Sequence, residues 1–256
     1  ATSSNSPLDI RIQVIRLPHL SNFTDFDPLG AEPDVSLGYV QNPEEINRPD
    51  LLILPGTKNT LADLSFLWER GFVPSIHHCL QRGGMVLGIC GGFQMLGRKV
   101  LDSLGVESSL AKIEGLGLLE AVTTFSPEKV TTQVKAIHVD SGAEVRGYEI
   151  HMGRTETSEE AIPLFHRLER NGKTTKEPEG LRNQEGNVWG TYIHGIFDEG
   201  SFRRVFLDSL RRRKGLNPLG EGFNLWNPDK EYDRLADCVR QNLNMVVVYD
   251  ILGMEH

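Results

Sequence analysis

The residue with the clearest capacity for covalent chemistry is a cysteine set among glycines. In "VLGICGGFQMLG" (86–97), Cys90 follows an apolar run and precedes Gly91 and Gly92. A strand that turns sharply into a helix presents a nucleophile well, and such a turn needs small residues around it. The helix N-terminus favours thiolate over thiol, and the N–H of Gly91 would face a developing oxyanion. Free cysteine is also often buried, so this stretch alone predicts a nucleophile and a structural thiol equally well.

A thiol nucleophile needs a nearby histidine that pairs with the thiolate and later donates a proton. Two of the eight histidines end strand-like segments that run into glycine: His194 in "NVWGTYIHG" (187–195) and His151 in "GYEIHMG" (147–153). Parallel α/β sheets place their sites where strands end in this way. We therefore predict His194 as the base and His151 as a residue that lines the same pocket.

The composition of the chain argues against several classes of partner. A formal net charge of −8 over 256 residues disfavours non-specific binding to nucleic acid or to an anionic membrane. No apolar run approaches the roughly 20 residues that cross a bilayer, and residues 1–10 lack the basic and apolar regions of a signal peptide. The three cysteines form no CxxC pair and predict no disulfide framework. The sequence thus predicts a cytoplasmic protein without nucleic-acid or membrane partners.

The elements that must position these residues alternate between strands and helices. Apolar runs predict strands over 9–17, 34–40, 49–57 and 85–89. Periodic patterns predict two helical stretches within 61–84, with Gly71 and Pro74 between them, and further helices over 92–100, 201–216 and 229–248. Over 201–216 the apolar residues share one face and the arginines lie on the opposite, exposed face. From 116 to 151, short β-like stretches joined by polar turns predict an antiparallel extension. We therefore predict a single α/β domain over 1–256, with a mostly parallel central sheet flanked by helices.

Five segments, in order, resemble the glutaminase domain of the cobyric acid synthase family. This family belongs to the class I glutamine amidotransferases, in the branch shared by the cobyric and cobyrinic acid amidases. The matching segments are "IRLPHLSNFTDFDPL" (15–29), "DLLILPGTKNTLADL" (50–64), "VLGICGGFQMLG" (86–97), "GYEIHMGRT" (147–155) and "GTYIHGIFD" (190–198). The resemblance spans nearly the whole chain and implies a class I amidotransferase-like, flavodoxin-like fold.

The resemblance also implies roles for particular residues. Cys90 matches the nucleophile of the family and His194 matches its catalytic base. The oxyanion hole of the family uses the N–H after the cysteine and one from the Pro-Gly loop, here Gly91 and either Gly56 or Thr57.

Gln94 matches a position that contacts glutamine in related amidotransferases, and Glu149 and His151 are further candidates for substrate binding. One departure concerns the carboxylate that usually orients the imidazole in a His-x-Glu pair. This chain has His194-Gly195-Ile196 instead. The resembling branch is similar in working with a Cys–His dyad, and Glu149 or Asp198 is a candidate substitute for the missing glutamate.

Whole cobyric acid synthases resemble a fusion of an N-terminal ATP-using synthetase to this glutaminase. The resemblance therefore implies L-glutamine as substrate, a synthetase domain or subunit as partner, and ATP with Mg²⁺ in that partner. It implies no cofactor or metal in this chain. The alternatives are the amidotransferase subunit of a cobyrinic acid a,c-diamide synthase or of a peptidoglycan-modifying amidase, and a non-catalytic interaction module on the same fold.

Overall fold

Strands and helices alternate along the computed structural model, which describes residues 10–220 and 226–254. The strands are β1 (Ile10–Ile15), β2 (Val35–Val40), β3 (Leu51–Leu54), β4 (Met85–Ile89), β5 (Lys99–Leu101), β6 (Lys112–Glu114), β7 (Ala121–His138), β8 (Glu144–Thr157), β9 (Phe165–Arg170), β10 (Lys173–Thr174), β11 (Pro178–Glu179), β12 (Leu181–Arg182), β13 (Val188–Thr191) and β14 (Ile193–His194). The α-helices are α1 (Asp27–Gly30), α2 (Thr60–Glu69), α3 (Phe72–Gln81), α4 (Gly91–Leu96), α5 (Gly200–Arg213), α6 (Pro228–Asn242) and α7 (Met245–Leu252). Two 3-10 turns cover Phe23–Phe26 and Pro43–Glu45. Residues 1–9 lie outside the described ranges, and so does most of the segment on which the prediction of no signal peptide was based.

The predicted parallel sheet is confirmed. Strands β2, β1, β3, β4 and β13 lie side by side in that order and run parallel, with the short antiparallel β12 at one edge. Strands β3 and β4 are buried along their whole length, which explains their uninterrupted apolar sequences. This order is flavodoxin-like, and it reverses direction between β1 and β3, so that a crevice opens at the carboxyl ends of the strands.

A second sheet forms the predicted antiparallel extension. Its centre is the long hairpin of β7 and β8, and β14 pairs with the other edge of β8. The chain therefore leaves the parallel sheet at the end of β13 and joins the second sheet at β14. This crossing places His194 where the two sheets meet.

The helix predicted over 92–100 is shorter in the structure. Helix α4 ends at Leu96, because Gly97 adopts an extended backbone with ψ of −179°. A Cβ at Gly97 would lie 2.7 Å from the carbonyl oxygen of Ala121, so the chain passes close to β7 and continues as β5. The helix predicted over 229–248 is likewise divided, into α6 and α7.

Helix α5 also differs from its prediction, which placed its arginines on the exposed face. Arg203 and Arg204 are buried. The Nε of Arg203 donates to Glu32 at 2.7 Å, and one Nη of Arg203 donates to the carbonyl of Phe197. Arg204 binds both carboxylate oxygens of Asp34, at 3.0 and 3.1 Å. Burial of these charges is tolerated because each is paired and hydrogen-bonded.

The chain divides into two compact units, Ala1–Phe223 and Asn224–His256. The first contains both sheets and helices α1 to α5. The second contains α6 and α7, and the side chain of Asn227 caps α6 by accepting the N–H of Asp229 at 3.0 Å. Within the described ranges, no helix combines the length and hydropathy that a membrane span requires.

Candidate active site

Cys90 lies at the bend between β4 and α4, and its backbone is strained. Its φ of 53° and ψ of −109° are costly for a residue other than glycine, by about 1–3 kcal/mol. A Cβ at Gly92 would lie 2.0 Å from the carbonyl oxygen of Leu54, and one at Gly88 would lie 2.6 Å from the carbonyl carbon of Gly92. The glycines are therefore required by close packing, and the turn has the form of a nucleophile elbow.

His194 is held by a carboxylate from a distant part of the chain. The Nδ1 of His194 lies 2.6 Å from Asp25 Oδ2, and the backbone N–H of Gly195 donates to Asp25 Oδ1 at 3.0 Å. All three groups are buried. Because Nδ1 is hydrogen-bonded to Asp25, the other ring nitrogen, Nε2, is available for the hydrogen bond with Cys90. Asp25 thus stands in the position of the missing His-x-Glu carboxylate.

The environment of His194 favours its protonated form. Burial alone would lower the pKa of the imidazole, because it removes the charged form from water. Hydrogen bonds and charges from Asp25 and Cys90 outweigh that effect and raise the pKa to about 10.

The two carboxylates suggested as substitutes for the missing glutamate lie elsewhere. Glu149 is fully buried in an ion pair with Arg167 at 2.6 Å, and it is not among the residues that line the Cys90 cavity in the described part of the chain. This position corrects its assignment as a substrate contact. Asp198 is exposed, next to Gly195, and lines a different cavity. Neither orients His194, because Asp25 takes that place.

The backbone nitrogen of Thr57 lies close to Gly91, the residue that follows Cys90 in the turn. In the described part of the chain, neither Thr57 nor Gly91 has a hydrogen-bond partner for its backbone N–H. A Cβ at Gly91 would lie 3.2 Å from the nitrogen of Thr57, so the Pro-Gly loop lies directly against the elbow. Gly56 packs against the imidazole instead, since its Cβ would lie 3.1 Å from His194 Cε1.

A cavity of about 340 Å³ opens onto the sulfur of Cys90 and is also lined by Gln94 and His194. Gln94 is buried, and not an exposed helix residue. Its Oε1 accepts from the hydroxyl of Thr60 at 2.9 Å, and its Nε2 donates to the carbonyl of Met152 at 3.1 Å. These bonds fix the amide as part of the cavity wall.

His151 lines the same cavity. Its ring stacks on Tyr192 with centroids 3.8 Å apart, and its Nδ1 lies 3.2 Å from the carbonyl oxygen of Gly153. Burial lowers the pKa of His151, which favours the neutral form of the ring. The structure thus brings His151 together with Cys90, as predicted.

Glu107 is a cavity residue that the sequence did not indicate. Its carboxylate accepts the N–H of Thr60 at the start of α2, at 2.5 Å, and its loop is held by N–H groups that donate to Asp102. Desolvation raises the pKa of Glu107 to about 7 despite the backbone bonds. The exposed Lys58 and Lys129 line the same cavity.

No local signal separates Asp25 or Glu107 from their neighbours in sequence. Asp25 lies in "NFTDFD", where Asp27 has an equivalent apolar context. Glu107 lies in a polar loop that contains no motif. Within the described ranges, no group of three or more His, Cys, Asp and Glu side chains is arranged to hold a metal ion.

Glu179 holds the segment that carries His194. Its carboxylate accepts the hydroxyl of Thr191 and the N–H of Tyr192, both at 2.7 Å. Complete burial raises the pKa of Glu179 to about 7, although the charge of Arg167 acts to lower it. The crossing from β13 to β14 is therefore fixed by a carboxyl group that resists ionisation.

We expect Glu179 to make stability depend on pH. Its folded pKa of about 7 exceeds its ordinary value of 4.5, so its stabilising contribution is complete below about pH 4.5 and is lost as pH rises through about 7. Glu179→Gln should remove this dependence, which is worth on the order of 3 kcal/mol. Urea unfolding at pH 5 and pH 8 measures it. If the free energies of unfolding of wild type and variant differed by the same amount at both pH values, the expectation would be contradicted.

Comparison with known proteins shows the family to which the chain belongs. Residues 11–202 match the family described as the CobB/CobQ-like glutamine amidotransferase domain. The chain is 46% identical over 253 residues to the cobyric acid synthase of Streptococcus sanguinis strain SK36, and 47% identical over 252 residues to that of Clostridium botulinum strain Langeland. Each alignment covers 98% of this chain and 50% of the relative. The chain thus spans about half the length of the curated relatives it matches.

Solved structures share the fold. A chain in the structure of PurLQS from Thermotoga maritima has a TM-score of 0.54 at 20% identity, covering 77% of this chain and 90% of that one. A structure described as a glutamine amidotransferase has a TM-score of 0.53 at 16% identity, covering 78% of this chain and 97% of that one. The predicted amidotransferase-like fold is confirmed.

Proposed function

The chain belongs to the CobB/CobQ-like family of glutamine amidotransferase domains, and from that premise we propose that it hydrolyses L-glutamine to glutamate and ammonia. The observation that carries the proposal is one juxtaposition. Cys90, in its strained turn, lies beside the His194–Asp25 pair and next to the backbone N–H groups of Thr57 and Gly91.

In the first half-reaction, the Cys90 thiolate attacks the carboxamide carbon of glutamine. The N–H groups of Thr57 and Gly91 stabilise the resulting oxyanion, and one such donor is typically worth about 3–4 kcal/mol. His194 then gives its proton to the departing nitrogen. The C–N bond breaks, ammonia leaves, and the glutamyl group remains on Cys90 as a thioester.

In the second half-reaction, the neutral imidazole of His194 takes a proton from water. The resulting hydroxide attacks the thioester, the C–S bond breaks, and glutamate leaves. Asp25 accepts a hydrogen bond from the Nδ1–H of His194 throughout, so that proton stays on Nδ1 and the other ring nitrogen acts alternately as acid and base. The starting ion pair of Cys90 and His194 is restored.

Glutamine also carries an α-ammonium and an α-carboxylate group, which need counter-charges in the cavity. Glu107 and Lys129 both line the cavity. The negative charge of the Glu107 carboxylate suits the ammonium group of glutamine, and the positive charge of Lys129 suits its α-carboxylate. Gln94 and His151 supply further polar lining of the same cavity. Charge thus selects a zwitterionic amino acid.

We expect Glu107→Gln to raise KM for glutamine about tenfold with little change in kcat, because it removes uniform binding of the ammonium group. The wild-type KM should rise as pH falls below about 7, where Glu107 becomes protonated. Initial rates from pH 6 to pH 8 measure both effects. Glu120→Gln, in an exposed ion pair with Arg98, is the matched control. A KM that is unchanged in Glu107→Gln would contradict this role.

We further infer that the chain is the glutaminase half of a cobyric acid synthase. The cited relatives carry that name, and this chain aligns with half of each. In this proposal, the ammonia serves the amidation of corrinoid carboxylates in cobalamin biosynthesis. The other half would be an ATP-dependent synthetase that binds ATP and Mg²⁺, and no residue of this chain is assigned to either.

A glutaminase assay tests the first proposal. The chain is incubated with L-glutamine, glutamate and ammonia are quantified, and a diazoketone analogue of glutamine is used to label the nucleophile before peptide mapping. Equal release of both products, with label on Cys90, is expected. Label on Cys79 or Cys238 would overturn the mechanism. Absence of both turnover and label, with the synthetase half present, would overturn the glutaminase activity.

A reconstitution tests the second proposal. The synthetase half of the Streptococcus sanguinis relative is mixed with this chain, an adenosylated corrinoid acid, ATP and Mg²⁺. Glutamine should support amidation only when this chain is present, whereas ammonium salts should support it without the chain. The assignment would be contradicted if ammonium salts supported amidation but glutamine did not, even in the presence of this chain.

A further inference from the structure

Asp25 lies on an element that is too short to hold itself in place. It belongs to the 3-10 turn Phe23–Phe26, which has no side-chain cap at its start. A single turn of this kind has poor internal hydrogen-bond geometry and gains little from cooperativity. The turn begins at Asn22, which is in the left-handed region with φ of 54° and ψ of 40°. Some other contact must therefore fix the position of Asp25 relative to the imidazole.

The side chain of Asn22 supplies that contact. Instead of capping its own turn, its Nδ2 donates to the hydroxyl of Tyr148 at 2.6 Å, across 126 residues of sequence. Tyr148 lies on β8 directly opposite His194 of β14 in the register of the second sheet. The bond therefore connects the turn that carries Asp25 to the strand that faces His194.

The ring of Tyr148 also covers the catalytic imidazole. The rings of Tyr148 and His194 are stacked, with centroids 5.2 Å apart and planes inclined by 22°. On another side, the imidazole packs against Gly56, whose Cβ would lie 3.1 Å from Cε1. One tyrosine thus touches both members of the pair: His194 through its ring, and the Asp25 turn through Asn22.

We propose that Asn22 and Tyr148 form a clasp that positions the Asp25–His194 pair for catalysis. The proposal rests on the proposed glutaminase activity. Asn22 also lines the Cys90 cavity, but its Nδ2 is engaged by Tyr148. We therefore assign both as positioning residues that act through the pair and not on the reacting atoms. Loss of the clasp lets the turn and the imidazole move independently, and small displacements of a catalytic pair are costly in rate.

The test uses Tyr148→Phe, Asn22→Gly and the double variant. Tyr148→Phe keeps the stacked ring and removes only the hydroxyl, and glycine accepts the left-handed backbone of position 22 without strain. Each single variant should lower kcat for glutamine about tenfold, with KM changed less than about twofold. The double variant should be no slower than either single one, because both changes break one bond.

Two readouts separate positioning from a general loss of structure. The upper limb of the kcat/KM pH profile should move to lower pH, because a displaced Asp25 stabilises the imidazolium less. Alkylation of Cys90 by iodoacetamide at pH 7 should slow in all three variants, while urea unfolding midpoints change little. Tyr232→Phe, which removes the hydroxyl of an exposed tyrosine on α6, is the control and should behave as wild type.

Wild-type kcat, pH profile and alkylation rate in Tyr148→Phe would overturn the clasp. Rate losses that multiply in the double variant would also overturn it. In either case, glutamine hydrolysis by the wild-type protein would still support the proposed glutaminase function. If the wild type itself released no glutamate, the alkylation rates would still decide whether the clasp positions the pair.

Discussion

Replacement of Cys90 by serine is expected to lower kcat for glutamine hydrolysis by about 10³-fold or more, because loss of a catalytic nucleophile is among the most damaging single changes. Serine keeps the size of the side chain in the strained turn, so the fold should survive. Its hydroxyl is a far weaker nucleophile, since it ionises much less readily than a thiol. The loss should appear in kcat, with glutamine still bound. Steady-state kinetics and titration of glutamine binding measure the two quantities separately.

The other cysteines provide the controls for this experiment. Cys79 is buried, and desolvation raises its pKa to about 11, so its thiol stays neutral. Cys238 is exposed on α6. Cys238→Ser should retain wild-type turnover and diazoketone labelling. Turnover in Cys90→Ser equal to that of wild type would exclude Cys90 as the nucleophile and would require another group in the cavity.

Asp25→Asn is expected to lower kcat by up to about 10⁴-fold, the loss seen when the carboxylate of a catalytic triad is replaced by its amide. The two oxygens of Asp25 accept from His194 Nδ1 and from the N–H of Gly195. Asparagine has only one carbonyl oxygen, so it cannot serve both donors. It also lacks the negative charge that stabilises the imidazolium. The upper limb of the kcat/KM pH profile should therefore move to lower pH.

Asp27→Asn is the matched control, two residues further along the chain and with an exposed side chain. It should keep the wild-type rate and pH profile. Asp198→Asn should do so as well, because Asp198 lines a separate cavity. A large loss in Asp198→Asn together with wild-type behaviour of Asp25→Asn would reverse the assignment of the orienting carboxylate. Measurement of kcat/KM from pH 6 to pH 10 distinguishes these outcomes.

The four residues of the site follow four strands whose ends meet at one edge of the parallel sheet. Asp25 follows β1, Thr57 follows β3, Cys90 follows β4, and His194 follows β13. Because the carboxyl ends of parallel strands lie at the same edge, residues scattered along the chain converge there. The flavodoxin-like order puts the crevice between β1 and β3 beside this group.

Much of this arrangement was determined by the sequence alone. Uninterrupted apolar runs before Pro55 and Cys90 specify buried parallel strands, and alternation further along specifies the antiparallel sheet. The glycines around Cys90 specify a turn that no larger residue permits. These are local rules of burial and steric contact, so the sharp turn at Cys90 and the sheet edge where it lies could be predicted, whereas the roles of Cys90 and His194 were predicted from the family resemblance.

Only the tertiary structure decided which carboxylate orients His194. Asp25, Glu149 and Asp198 have the same chemistry, and a hydrogen bond depends on distances that are set by packing between elements 169 residues apart. The same reason placed Arg203 inside, although its helix pattern predicts an exposed side chain. Local sequence specifies which groups are available, whereas the long-range packing of β1, β8 and β14 decides which of them meet.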